Sequence, residues 1–342
     1  MVGPEERVEP ELFGEAGDGE QLLVGRTLLG LGEDTEFHGG RRYSHVCVTR
    51  VVPTARGYAA EMLSVDRWPE LNEPLLVAAL AGWVDAGGAG AGASGVLAEQ
   101  LQGIELFATI DVAAVADLQQ TRPIARWHGD ARVIDWPRIT FECGRIGGGR
   151  EGAGRDVVLM RGPEPSLRWP SLASSTVEAA RRLGVRQAVT LGGIPSLVSH
   201  RKAMVVTTSA TQRSLAQELV PLRPDYAGPT GLQTVVLRAL GDVGIPGSGL
   251  WVHVPQYVSG SPSPPAIRAL LARLVEVYHL DLDLRALDER SEAYLRRVEA
   301  GLEARPDVKA VVDQIDERQE GTTGDLVAEI EQFLRSQSGD ES

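Results

Sequence analysis

Short apolar runs and longer helical stripes alternate along most of this chain. The run Leu75–Leu80 predicts a buried strand, Gly88–Gln102 predicts a helix, and Ile104–Ile110 predicts a second strand. The same alternation continues in strands Arg132–Arg145, Asp156–Met160, Arg186–Leu191, Met204–Thr208 and Gly249–Val254 and in helices Ser171–Leu183, Ser209–Leu219 and Thr230–Val243. We therefore expect an α/β fold with a mostly parallel, mixed sheet flanked by helices.

After Pro264 the pattern becomes helical. Ile267–Tyr278 predicts one helix, and apolar residues recur at helical spacing on three later stretches, beginning at Leu284, Val308 and Leu326. Because charged residues lie opposite these stripes, we expect the helices to pack on the sheet domain or on another subunit. The predicted organisation is a poorly ordered N-terminal extension (1–65), an α/β domain (66–280), a C-terminal helical segment (281–335) and a disordered tail (336–342).

Three loops follow apolar strands and carry glycine or proline beside polar side chains: Gly82–Gly88, Gly192–Arg201 and Pro255–Pro262. In open parallel sheets such loops meet at the carboxyl edge, where ligands bind. A fourth loop, Asp225–Gly231, has turn composition and places Thr230 as a possible N-cap of the next helix. The loops therefore form either a functional surface or a set of tight turns.

The candidate pocket or contact surface consists of residues from these loops: Trp83, Asp85, Gly87, Gly88, Gly192, Gly193, Pro195, His200, Tyr226, Gly228, Thr230 and Tyr257. Asp85 is the strongest single candidate for chemistry, since an acid beside a helix N-terminus can bind a ligand or act as a base. Asp85 can equally cap the following helix, and we favour that interpretation. Trp83 is interpreted as a packing residue or an interface anchor.

Charge and hydropathy narrow the possible partners. The net charge of −13 argues against nucleic acid or an anionic membrane as the main partner. No apolar run approaches the ~18 residues that a transmembrane helix needs, and the acidic N-terminus does not resemble a signal peptide. We expect a cytoplasmic protein that binds neither nucleic acid nor membrane.

Common enzyme signatures fit poorly. Gly90, Gly92 and Gly95 match the dinucleotide-binding motif G-x-G-x-x-G. Asp111 lies about 20 residues further on, where that motif has the acid that binds the ribose. However, Ala81–Ala89 separate these glycines from the strand, so they are predicted inside the helix as packing residues. The chain has no P-loop and no nucleophile elbow, and its histidines are scattered. His128-Gly129-Asp130 is predicted to be a turn between strands rather than a metal site. We predict no cofactor and no metal, and whether the protein is an enzyme stays open, with a non-enzyme favoured.

Five stretches in order carry a family resemblance. They are LLVAALAGWVDAGGAGAGASGVLAEQL (Leu75–Leu101), VVLMRGPEPSLRWPSLASSTVEAARRLGV (Val157–Val185), VTLGGIPSLVSHRKAMVVTTSAT (Val189–Thr211), DYAGPTGLQTVV (Asp225–Val236) and LWVHVPQYVSGSPSPPAIRALLARL (Leu250–Leu274). Together they resemble the bacterial branch of the proteasome assembly chaperone family, second-chaperone type, over about 66–315.

The resemblance implies a fold similar to purine nucleoside phosphorylases, a helical C-terminal addition and self-association. It also implies binding to other proteins, with proteasome subunits as possible partners, and it supplies no catalytic residue. The hypothesis is a chaperone-like protein that acts by protein–protein binding as a homo-oligomer. The alternative is an enzyme or sensor that binds a nucleoside or nucleotide in a phosphorylase-like pocket, with Asp85, Gly193 and His200 at its floor and Arg122 and Arg201 available to bind an anion.

Overall fold

A computed structural model describes residues 62–148, 152–211 and 228–318 of the chain. It contains ten strands: β1 Ser64–Val65, β2 Leu75–Ala81, β3 Gln102–Asp111, β4 Ile124–His128, β5 Ala131–Asp135, β6 Arg138–Gly148, β7 Gly152–Pro163, β8 Gln187–Ser196, β9 Val206–Ala210 and β10 Gly247–Pro255. The α-helices are α1 Ala89–Gln100, α2 Trp169–Arg182, α3 Leu232–Asp242, α4 Pro264–Tyr278, α5 Arg285–Glu303 and α6, residues 306–318.

Eight of the strands form one mixed sheet in the order β1-β3-β6-β7-β2-β8-β10-β9. The four central strands, β7, β2, β8 and β10, run parallel to one another. Antiparallel strands complete both sides: β6, β3 and β1 beyond β7, and β9 beyond β10. This arrangement confirms the predicted α/β class with a mixed sheet, while the comparison with nucleoside phosphorylases stays a prediction.

Strand β2 shows why both faces of the sheet are covered by helices. Its residues are buried without alternation from Leu75 to Leu80, as expected for a strand with helices on both sides. Leu76, Ala78 and Leu80 belong to a core that includes side chains of α2 and α3. The residues between them point to a second core, built with α1 and α4.

Strands β4 and β5 form a separate antiparallel hairpin. The sequence predicted a turn between strands at His128-Gly129-Asp130, but it predicted neither β4 nor the end of β5. The predicted strand Arg132–Arg145 is wrong as a single element, because β5 ends at Asp135 and β6 begins at Arg138. Pro137 lies between them and cannot donate a ladder hydrogen bond. The predicted turn at His128-Gly129-Asp130 is confirmed: Gly129 has a φ of 59° between the two strands.

Two further boundaries differ from the sequence prediction. Strand β8 continues past Leu191, because Gly192 and Gly193 remain paired with β10. The predicted helix start at Ser209 is wrong, since Ser209 pairs with Gly249 in the sheet. Ala210 also belongs to β9, and residues 212–219 of that predicted helix lie outside the described residues.

The predicted C-terminal ends of two helices agree with the structure. Gly184 and Gly244 follow α2 and α3 with φ values of 69° and 85°, the left-handed conformation expected of a glycine that ends a helix. Among the described helices, none is both long and apolar enough to span a bilayer. The proposed division into extension, α/β domain and C-terminal segment stays a prediction; residues 1–61 and 319–342 lie outside the described part of the chain.

Candidate functional site

The predicted loops meet at the carboxyl edge of the parallel strands. Asp85 forms an isolated parallel bridge with Gly193, whose N–H donates to the carbonyl oxygen of Val84 over 2.9 Å. The loop after β2 also contacts the loop after β10, because the N–H of Gly87 donates to the carbonyl of Ser259 over 2.7 Å. The loops are therefore joined through their backbones.

The N-cap residue of α1 is Gly88, but Asp85, three residues earlier, supplies the side-chain acceptor for the first turn. Its Oδ1 accepts hydrogen bonds from the N–H groups of Gly90 and Ala91, at 2.7 and 3.3 Å. These are the second and third residues of α1, whose N–H groups have no partner within the helix. Burial raises the pKa of Asp85 to about 6, although the two backbone hydrogen bonds act to lower it. The geometry is that of a structural cap whose carboxyl has a pKa raised by burial.

The glycines around Asp85 allow backbones to approach closely. A Cβ added at Gly90 would lie 2.5 Å from the carbonyl oxygen of Leu191. One added at Gly192 would meet the Trp251 ring, and one at Gly193 would meet the carbonyl of Ala86. All three positions of the G-x-G-x-x-G match lie within α1, so the predicted packing role is supported by the contacts of Gly90 with the sheet.

Gly87 and Gly88 make the turn that leads into α1. Their φ values are 65° and 54°, which lie in the left-handed region where glycine carries no steric cost. Pro195, also predicted as a site residue, lies in β8 opposite Val254. It therefore belongs to the sheet next to the loops.

Glu164 is a site residue that the sequence did not reveal. Its carboxylate accepts from the N–H of Trp83 at 3.1 Å and from the N–H of Leu232, the first residue of α3, at 2.6 Å. The prediction that Thr230 caps this helix is wrong, because the N-cap residue is Gly231 and the acceptor comes from Glu164, 68 residues earlier. In the sequence, Glu164 is distinguished only by its position after the predicted strand Asp156–Met160, where it directly follows Gly162 and Pro163.

His200 and Tyr257 form a second group. His200 is buried, and its backbone N–H donates to the hydroxyl of Tyr257 over 2.9 Å. Nδ1 of His200 lies 2.6 Å from the same hydroxyl, within hydrogen-bond distance. Nε2 is 3.2 Å from Oε1 of Glu299 but is not aligned for a good hydrogen bond. Burial lowers the pKa of His200, so the neutral form is favoured.

Arg201 connects this loop to the C-terminal helices. Its guanidinium binds both carboxylate oxygens of Glu299 in α5 and is 2.8 Å from both Asp313 and Asp316 in α6. The three carboxylates raise the pKa of Arg201. Because these contacts already satisfy the guanidinium, Arg201 does not provide the anion site considered from the sequence. Arg122, the other candidate, is exposed and lies just before the hairpin.

The contacts thus divide the predicted site residues into groups. Asp85, Gly87, Gly88, Gly192 and Gly193 lie together, and His200 pairs with Tyr257. Gly228 and Thr230 are exposed ahead of α3, and Tyr226 lies outside the described residues. Within the described part of the chain, no three His, Cys, Asp or Glu side chains are grouped as metal ligands.

The hairpin β4–β5 presents a surface that the sequence analysis missed. Its register places Trp127 opposite Arg132 and Ala125 opposite Ile134, so these four side chains share one face. Trp136 lies just beyond the end of β5, outside the paired residues. The side chains of Trp127, Ile134 and Trp136 are 68%, 49% and 49% exposed. The guanidinium of Arg132 lies 5.9 Å from the centre of the Trp127 ring. We call these three apolar residues the hairpin face.

Comparison with known proteins places the chain in a family. The model of the PAC2 family matches residues 79–301. A PAC2 family protein from Streptomyces avermitilis is 35% identical, with a TM-score of 0.62, and the match covers 66% of this chain and 95% of that one.

A proteasome-assembly chaperone homologue from Mycobacterium tuberculosis is 32% identical, with a TM-score of 0.61 over 66% of this chain and 94% of that one. A protein of unknown function from Corynebacterium glutamicum is 26% identical, with a TM-score of 0.69 over 76% and 97% of the two chains. No curated protein matches the chain. Since the family model spans more than half of the sequence, the chain belongs to the PAC2 family.

Proposed function

We propose that this protein acts by binding other protein chains, as a proteasome-assembly-chaperone-like protein of the cytoplasm that forms a homo-oligomer. The observation that carries this proposal is the hairpin face, where two tryptophans and an isoleucine are about half or more exposed. Exposed apolar patches are typical of protein-binding surfaces, and the register places Trp127 and Ile134 on one face of the hairpin. The proposal makes the hairpin face the contact surface.

Physical reasons support a binding role for the hairpin. An isolated two-stranded hairpin is marginally stable in water, so burial against a partner stabilises it. Tryptophan and arginine are the residues most often found at the energetic centre of an interface. Trp127 with Arg132 above it supplies both, and Ile134 extends the apolar area.

Family membership supports the kind of partner. One relative, from Mycobacterium tuberculosis, is a proteasome-assembly chaperone homologue, and it is 32% identical to this chain. We therefore propose proteasome subunits, besides further copies of the chain itself, as the partners.

The alternative of a nucleoside- or nucleotide-binding enzyme or sensor depends on Asp85, because its pKa of about 6 suits proton transfer. Against this, Oδ1 of Asp85 is engaged by two backbone N–H groups. A thermal-shift screen of nucleosides and nucleotides separates the two functions. A shift of several degrees with one ligand, lost in Asp85→Ala, would favour the enzyme or sensor.

The proposal is tested by titrating purified proteasome subunits with the wild type and two variants. Trp127→Glu combined with Trp136→Glu places charges on the hairpin face and is expected to weaken binding by more than about tenfold. Ile124→Glu is the matched control, because Ile124 is 66% exposed on the opposite face of the same hairpin. Equal binding by all three proteins, or no binding by the wild type, would contradict the proposal.

A further inference from the structure

A groove of about 540 Å³ lies between helix α5 and the prolines at the start of α4. Its charged lining consists of three arginines of α5: Arg290, Arg296 and Arg297. None of the residues that line it is acidic. The groove is therefore cationic, although the whole chain carries a net charge of −13. We call it the arginine groove.

Two of these arginines have no acidic partner. Among the described residues, Arg290 and Arg297 form no ion pair and donate no side-chain hydrogen bond. Arg296 lies 3.6 Å from Glu292, but the two side chains are 71% and 74% exposed, and such a surface pair is weak. The positive charge of the arginine groove is thus not neutralised by the part of the chain that the structure describes, so the groove attracts an anionic ligand.

The spacing of the arginines indicates how the charges of such a ligand are arranged. Arg290 and Arg297 are seven residues apart on one side of α5, which is about 10.5 Å along the helix axis at 1.5 Å per residue. A guanidinium binds a carboxylate through two parallel hydrogen bonds. Two carboxylates that are seven residues apart on a second helix have the same separation, about 10.5 Å. The spacing therefore matches an acidic helix that lies alongside α5.

The shape of the groove favours a polypeptide over a small anion. Sites for small molecules enclose most of the ligand, whereas Arg290 and Arg297 are exposed at the surface. Between the arginines the lining is small and apolar, with Ala293 and Ala300 on α5. Short side chains let a second helix approach closely, because the distance between packed helices depends on the residues at the contact.

We propose that the arginine groove binds an acidic helical segment of a partner protein, with carboxylates seven residues apart paired to Arg290 and Arg297. This inference rests on the proposed function in that the protein binds other chains. However, it concerns a surface on α5, whereas the hairpin face belongs to β4 and β5 and the residue after them. The two surfaces can therefore be tested separately.

Fluorescence anisotropy of the full-length protein with a synthetic peptide tests the proposal. The probe is a labelled helical peptide built from repeats of Glu-Ala-Ala-Gln-Ala-Ala-Ala, which places glutamates about 10.5 Å apart. Its control peptide has glutamine in place of every glutamate. The groove variant combines Arg290→Glu with Arg297→Glu; Arg297→Gln alone replaces it if the double variant does not fold.

The matched control variant combines Arg181→Glu with Arg238→Glu. It makes the same change in net charge on α2 and α3, which cover the opposite face of the sheet from α4. Arg181 is exposed, and the side chain of Arg238 is 76% exposed. The control therefore separates binding in the groove from the attraction of the whole molecule.

The wild type is expected to bind the glutamate peptide about tenfold more tightly than the glutamine peptide, and the groove variant to lose about tenfold in affinity. The control variant is expected to lose less than about twofold, since charges beyond a Debye length are screened. Equal binding of the two peptides, or equal losses in the two variants, would overturn the proposal. Tighter binding of inorganic triphosphate than of the glutamate peptide would also overturn it, in favour of a small anion.

A further comparison separates this proposal from the function proposed for the hairpin face. Trp127→Glu combined with Trp136→Glu is expected to bind the glutamate peptide as the wild type does, and a loss comparable to that of the groove variant would contradict the assignment to α5. If the peptide does not bind while proteasome subunits still bind the wild type, the arginine groove is excluded and the proposed function stands.

Discussion

We compare the hairpin β4–β5 with the loop edge, which consists of Asp85, Gly87, Gly88, Gly192 and Gly193. The two regions differ in whether their most distinctive side chains and glycines face the protein or the solvent. At the loop edge, glycines let backbones approach until an added Cβ at Gly90 or Gly193 would collide with a carbonyl oxygen. On the hairpin, Trp127 is 68% exposed, and Trp136, just after β5, is 49% exposed. The glycine-rich motif that suggests a ligand site thus serves packing, whereas the hairpin, which has no such motif, carries the face that we propose for binding.

The largest expected effect on stability is at the loop edge. Gly90→Ala would place a methyl group 2.5 Å from the backbone oxygen of Leu191, and backbone cannot yield easily. We expect a loss of about 1–3 kcal/mol in the free energy of unfolding, measured by urea denaturation.

The matched control is Gly95→Ala in the same helix, where an added Cβ has no neighbour within 4 Å. It is expected to stabilise the protein by about 0.5–1 kcal/mol, since alanine favours helix. Equal effects of the two substitutions would show that the glycines of α1 do not differ in packing.

Removing the cap on α1 is the next largest effect. Asp85→Ala deletes the acceptor of two backbone hydrogen bonds and is expected to cost about 1–2 kcal/mol of unfolding free energy. Asp85→Asn keeps an oxygen acceptor and removes the buried charge, so we expect nearly wild-type stability at pH 7. A large loss in Asp85→Asn, seen by thermal denaturation, would show that the negative charge itself is required.

The pH dependence of stability provides a separate test of Asp85. Its pKa is about 6 in the folded protein and 3.8 in the reference state, so between these values the folded state binds more protons. The contribution of Asp85 to the free energy of unfolding is therefore expected to fall as pH rises from about 4 to about 6. The difference between wild type and Asp85→Asn, measured across this window, isolates that contribution; a constant difference would contradict it.

The smallest expected effect on stability is on the hairpin. Trp127→Ala combined with Trp136→Ala removes exposed side chains, so the free energy of unfolding of the isolated chain is expected to change by less than about 0.5 kcal/mol per substitution. Urea denaturation at a protein concentration where only monomer is present measures this. A loss comparable to that of Gly90→Ala would mean that the tryptophans belong to the core.

The loop edge could largely be predicted because its features depend on residues that are close together in the sequence. The distance from β2 to Gly90 indicated that the glycines lie inside α1, and an acid just before a helix indicated a cap at Asp85. Glu164 was not predictable, since its two acceptor contacts join segments 68 and 81 residues away in sequence.

The turn of the hairpin was predicted, but its two strands were not, for a different reason. Every residue of β4 is exposed, so the strand has no alternation between buried and exposed positions to reveal it. Strand β5 is followed by Trp136 and Pro137, and the apolar pattern of β6 resumes so soon that both strands resemble one. A periodic pattern of apolar residues indicates which positions are buried in the core. The hairpin lies outside the core, so its strands have no such pattern.

The mass of the protein in solution tests most directly whether the hairpin face is a contact surface. Light scattering over a range of concentrations is expected to show an oligomer for the wild type and for Ile124→Glu. The combined Trp127→Glu and Trp136→Glu variant is expected to be a folded monomer. A monomeric wild type at all concentrations, or an unchanged oligomer in the tryptophan variant, would contradict the account.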